Sequence, residues 1–138
     1  VKVCVARVAV SRSGRLATYG IVVEAGIKCG RELIVGKLHK EGGVVSTCSC
    51  RDPMRKALLR ALDAAKELRC RSLKILVEAE TMPQGILDDL RRYDHFTYLT
   101  IQRVPQGDAT LLAEDALERL NITFPELSCT THISSDEN

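Results

Sequence analysis

The run VKVCVARVAV, Val1–Val10, is broken only by Lys2 and Arg7 and is rich in valine. A run apolar at both odd and even positions reads as a strand covered on both faces. Such a strand belongs inside a sheet, so this stretch places the centre of the fold. Working outward, Ser11-Arg12-Ser13-Gly14 reads as a turn. LATYGIVVEAG, Leu16–Gly26, is a second strand and ELIVGKL, Glu32–Leu38, a third. Their short connections predict an antiparallel meander. The stretch from His39 to Cys50, with Gly42-Gly43 inside it, reads as a loop, with a short extra strand at Val44-Val45.

A long helix comes next. Asp52 is suited to the N-cap and Pro53 to the first helical position. Met54, Ala57, Leu58, Ala61, Leu62, Ala65 and Leu68 then recur at helical spacing and form one apolar stripe. SLKILVEAE, Ser72–Glu80, is a fourth strand, PQGILDDLRRY a short helix, FTYLTIQRV a fifth strand and ATLLAEDALERL a last helix. The order is β-β-β-α-β-α-β-α. A meander followed by strand–helix alternation predicts a five-stranded mixed sheet with helices on both faces. The two-faced first strand puts the strands in the order 3-2-1-4-5. The expected domain covers residues 1–124, and residues 125–138 form a polar acidic tail or linker. A chain that opens on Val1 is expected to be a piece of something longer.

Composition narrows the class. The 138 residues are 45% hydrophobic and 28% charged, as a single globular domain requires. No apolar run approaches the length of a membrane span. Cys4, Cys29, Cys48, Cys50, Cys70 and Cys129 are scattered, and a domain of this size does not need bridges. They read as reduced thiols in a cytoplasmic or nuclear protein. Cys48-Ser49-Cys50 and Cys129-Thr-Thr-His132 look like halves of a metal site, but Cys-x-Cys spacing is poor for structural zinc, so no metal and no cofactor is expected. His39, His95 and His132 stand apart from any nucleophile that would make a triad. The net charge of +2 hides a basic body, +7 through Thr110, and an acidic end, −5 from Leu111 onward. That balance admits a polyanionic partner.

The element order resembles the ribonuclease H fold, and local motifs extend the resemblance across Val3–Leu120. The family's first helix commonly reads E-x-x-A-L-x-x-A-L-x-x-A, and Met54–Ala65 keeps every apolar position of it. Its fourth strand ends in Asp-Ser, here Glu80-Thr81. Its last helix opens N-x-x-A-D-x-L-A, and Gln106–Ala113 keeps the two alanines and the leucine. The resemblance implies four carboxylates at one end of the sheet holding two divalent cations for phosphodiester cleavage. Here the first-strand position falls near Ser11 or Arg12, the helix position on Met54, the fourth-strand position on Glu80 and the last-helix position on Thr110. One carboxylate of four is kept. A shifted set of Glu78, Glu80 and Asp108 is the alternative, because Glu78 lies two residues before Glu80 and so on the same strand face.

The sequence therefore predicts a catalytically inactive ribonuclease H-like module of a larger intracellular protein. Its expected partner is a protein or neighbouring domain, with RNA or an RNA–DNA duplex as a further ligand and no membrane. Related degenerate domains occur in retroelement polyproteins and ahead of ring-between-ring ubiquitin ligase regions. Arg12, Arg15, Arg51, Arg55 and Lys56 are the candidate nucleic-acid contacts, since guanidinium groups match phosphate geometry. Aromatic platforms for bases are few: no Trp, and only Tyr19, Tyr93, Phe96, Tyr98 and Phe124. The enzymatic alternative is a divergent metal-dependent ribonuclease using Glu80 with Glu78 and Asp108.

Overall fold

The computed structural model describes residues 2–46, 53–82, 85–92 and 95–123. Three antiparallel strands come first: β1 Lys2–Ser13, β2 Leu16–Cys29 and β3 Glu32–Ser46. Then follow α1 Pro53–Glu67, β4 Ser72–Glu78, α2 Ile86–Leu90, β5 Tyr98–Val104 and α3 Asp108–Thr123. The sheet order is β3-β2-β1-β4-β5, with β4 and β5 parallel to β1. The two-faced apolar strand is central, as its composition requires.

Four local expectations change. The stretch His39–Ser46 is not a loop but the second half of β3, paired along β2 as far as Ala17. The turn between β1 and β2 is the pair Gly14-Arg15, with Gly14 at a φ of 59°. β4 ends at Glu78, two residues sooner than expected, and α2 covers only five residues. The expected N-cap Asp52 and the expected domain boundary at 124/125 lie outside the described residues.

Alternation along β1 separates two layers. Cys4, Ala6 and Val8 face α1 and join Ile21, Val23, Leu58, Ala61, Leu62, Ile75 and Val77 in the main core. Met54 packs against the edge of that core. Ala9 faces the other way, against Ala109 and Ala113 of α3. α3 lies across the strands rather than along them, touching β2 most, then β1 and β3. Gly20 makes this possible: a Cβ there would stand 2.0 Å from the Ala109 carbonyl oxygen. Thr18, fully buried, donates its hydroxyl to the Ala113 carbonyl at 2.6 Å.

Below α3 the same face of the sheet carries no covering element among the described residues. Register places Lys40, Val22, Arg7, Leu76 and Gln102 side by side in one row. The next row holds Leu38, Glu24, Val5, Lys74 and Thr100.

Two of the cysteines depart from the reduced reading. Cys4 of β1 and Cys70, in the turn after α1, are fully buried and joined by a disulfide. The reason is topological: β4 returns parallel to β1, so the chain just before β4 passes the start of β1, and the two Cα atoms stand 5.9 Å apart. Cys48, Cys50, Cys129 and His132 lie outside the described residues. No described helix is long and apolar enough to cross a membrane.

Candidate functional site

β1 and β4 run parallel, so their C-terminal ends, the start of α3 and the β1–β2 turn all fall at one end of the sheet. α1 also begins there, because β3 ends beside Ala17. At this end the sheet places Glu78, the last residue of β4, on the α3 face. Its side chain is fully buried.

Five donors surround its carboxylate. Oε1 accepts from the Gly107 amide at 2.7 Å, the Thr110 amide at 2.8 Å and the Thr110 hydroxyl at 2.8 Å. Oε2 accepts from Arg7 Nη1 at 3.2 Å and the Ala109 amide at 3.3 Å. The first amides of a helix have no partner within it, and the helix dipole favours an anion there. Glu78 thus caps α3 from another element, with Arg7 balancing its charge. Burial pushes the Glu78 carboxyl up, but the bonds from Thr110, Gly107 and Arg7 outweigh it and hold the group below the usual carboxylate range.

This arrangement bears on the divalent cations that the resemblance implies. A carboxylate offers about four lone-pair sites, and five protein donors already occupy those of Glu78. The facing β1 side chain, Arg7, is a cation where a metal pair would want an anion. Glu80 lies beyond the strand, exposed, in a shallow recess with Ala79, Arg103, Val104 and Pro105. Asp108 is exposed at the start of α3. Glu78, Glu80 and Asp108 are therefore not brought into one cluster. No group of three or more His, Cys, Asp or Glu that could hold a metal is found among the described residues. These side chains do not fit a two-cation centre.

The other candidates sort by element. Thr110 joins Glu78 directly, while Ser11 and Met54 lie on opposite faces of the sheet, with α3 and α1 respectively. Arg12 and Arg15 are exposed at the β1–β2 turn, and Lys56 is exposed in the first turn of α1. Arg55 is engaged by Asp89 of α2 at 2.6 Å, which holds that aspartate below its usual range. Arg51 lies outside the described residues. His39 contacts Glu41 at 3.0 Å, and His95 Nε2 lies 2.9 Å from the Cys70 carbonyl.

Sequence reasoning missed the pairing of Arg7 with Glu78. The signal was present: each is a charge flanked by apolar residues, Arg7 by Ala6 and Val8 and Glu78 by Val77 and Ala79, and such a charge needs a partner when buried.

The chain matches no protein-family model and no curated protein. Among solved structures it resembles RNase H1 from the halophilic archaeon Halobacterium salinarum, at 20% identity and a TM-score of 0.61, over 85% of this chain and 98% of that one. The N-terminal RNase H domain of a Mycobacterium tuberculosis protein aligns at 18% identity and a TM-score of 0.58, over 88% and 96%. LC11-RNase H1, recovered from compost and solved in complex with an RNA/DNA hybrid, aligns at 12% and 0.55, over 86% and 98%. The chain therefore has a ribonuclease H-like fold.

Proposed function

We propose that this ribonuclease H-like domain does not cleave nucleic acid and works by binding, with a protein or a neighbouring domain as its partner. One observation carries the reading: among the described residues the only buried carboxylate at the functional end, Glu78, is saturated by the α3 amides, Thr110 and Arg7. Two divalent ions need several free carboxylate oxygens, and the acids left nearby, Glu80 and Asp108, are dispersed and exposed. Incubation with an RNA–DNA hybrid in Mg²⁺ or Mn²⁺ should leave the hybrid intact. Metal-dependent cleavage that Glu80→Gln abolishes would overturn this reading in favour of a divergent nuclease.

A second ligand is supported by the exposed Arg12, Arg15 and Lys56 at the same end, and by the hybrid bound to a structural neighbour. If these side chains contact phosphates, affinity for a hybrid falls steeply with salt, and Arg12→Ala flattens the log–log slope by about one unit. A salt-independent or undetectable interaction with RNA–DNA, RNA and DNA duplexes would leave only the protein partner.

A further inference from the structure

The α3 side of the sheet has two unequal halves. One is a ridge, the helix itself; the other is the uncovered stretch beside it. Both carry large apolar side chains in water: Leu111 and Ile122 on the ridge are 64% and 74% exposed, and Leu38 and Tyr98 on the open half are 56% and 70% exposed. Leu111 and Ile122 stand near the two ends of the helix, and Leu38 and Tyr98 at the two edges of the sheet, on β3 and β5.

The two halves also carry opposite charge. The outer side of α3 presents Glu114, Asp115 and Glu118, with Arg119 answering Asp115 at 3.0 Å. Among the described residues the open half presents Lys40 and Lys74 against a single carboxylate, Glu24, while Arg7 is already committed to Glu78. An acidic ridge with apolar ends thus lies beside a basic, partly apolar trough.

We infer that two copies of this chain associate face to face, the α3 ridge of each seated in the open half-sheet of the other. A two-fold axis lying between the sheets and across the strands exchanges ridge and trough, so one contact is made twice, as an isologous dimer requires. The dimensions suit it. Same-face rows are about 6.7 Å apart along a strand, so the two rows beyond α3 span about 13 Å, enough to seat a helix about 10 Å across. The two-row trough and the 16-residue helix beside it make a footprint of roughly 550 Å² per copy, the scale of a weak, reversible association. A protein helix suits this trough better than single-stranded nucleic acid, since Tyr98 is the one exposed large aromatic among the described residues and base stacking needs several. The inference goes beyond the proposed function and does not rest on it.

Sedimentation velocity of the 138-residue chain over a range of concentrations tests it. The expected result is a reversible dimer that weakens at high salt. One variant, Lys40→Glu with Lys74→Glu, reverses the trough; another, Glu114→Lys with Glu118→Lys, reverses the ridge. Each alone should weaken self-association by about tenfold or more, as like charges across an interface do. Their mixture should restore it, because in the mixed dimer both contacts regain opposite charges. All four positions are exposed, and circular dichroism confirms folding. A chain that stays monomeric at high concentration overturns the inference. So does a dimer indifferent to both variants, or a mixture that fails to recover. Should a charge variant misfold, Ile122→Asp, at a site exposed in the monomer, replaces it with the same expected weakening.

Discussion

Replacing Glu78 by Gln removes one charge and one acceptor oxygen while keeping the side chain's size. With its remaining oxygen in the Oε1 position, glutamine still accepts from Gly107 and from both donors of Thr110. Its NH₂ group then faces two donors, Arg7 and the Ala109 amide, which Oε2 now accepts. Leaving the buried Ala109 amide unpaired costs about 1–3 kcal/mol. Losing the anion at a buried helix N-terminus costs about 0.3–2 kcal/mol. The Arg7 side chain is 36% exposed, so water recovers much of its share and little is added for it. The expected loss is about 2–4 kcal/mol, a large part of the 5–15 kcal/mol that typically holds a domain. At roughly 3 °C per kcal/mol for a chain of this length, the melting temperature falls by about 6–12 °C. The chain has no Trp, so urea and thermal unfolding are followed by circular dichroism, with the exposed Glu80→Gln as control. Because the folded Glu78 carboxyl titrates below the ordinary carboxylate range, its stabilisation is complete above that range and is lost as pH falls through the lowered value. Glu78→Gln should flatten this acid limb. A loss under about 0.5 kcal/mol, the scale of ordinary surface changes, with an unchanged acid limb would refute the capping argument.

Three other outcomes are expected. The Arg60 hydrogen bonds lower Glu41 to about 2 against the pull of burial, with help from Tyr19 and His39; by the rule of ~1.36 kcal/mol per pKa unit it supplies at most about 3 kcal/mol above pH 4.5, lost between about 4.5 and 2. Arg60→Ala should move that acid limb up toward the ordinary carboxylate range in a pH-dependent urea titration, and an unmoved limb would contradict the assignment. Closing a loop across a separation of 66 residues, the Cys4–Cys70 bridge should contribute about 4 kcal/mol by its effect on the unfolded chain; equal unfolding midpoints for the oxidised protein and the Cys4→Ala/Cys70→Ala variant would argue otherwise. Gly20→Ala drives a methyl into the α3 backbone and should cost about 3 kcal/mol or more, detected as lost amide-exchange protection in α3, whereas the same change at Gly36, with only the Ala25 carbonyl at 3.8 Å, should leave α3 untouched.

What could be read from sequence follows from where the physics is local. The centrality of β1 was legible because its apolar pattern has no polar side, and α1 was legible because Leu58, Ala61 and Leu62 repeat at helical spacing and are buried in the core. The second half of β3 was not, since Gly42-Gly43 mimics a turn. In the fold those glycines sit opposite Gly20 and Tyr19, where α3 approaches one face and the Tyr19 ring the other. The site was half legible. Thr110 and Glu78 were both singled out, but Glu80 seemed the better strand-end acid until β4 proved to stop at Glu78. That Arg7 would meet Glu78, across 71 residues of chain, depends on parallel pairing between strands, which no local pattern encodes. The disulfide was missed for the same reason.

The seat of α3 also sets an order of events in time. Its partners come from four strands: Ala9 from β1, Thr18 and Gly20 from β2, Gly42 from β3, and Glu78 from β4. None of these can receive the helix until the strands themselves are paired, including the parallel β1–β4 contact, whose long loop is slow to close. α3 is therefore expected to dock after the strands have paired and to come away before they part. Its amides should exchange through a low-energy opening that leaves β1, β2 and α1 protected, making the helix a cooperative unit of its own.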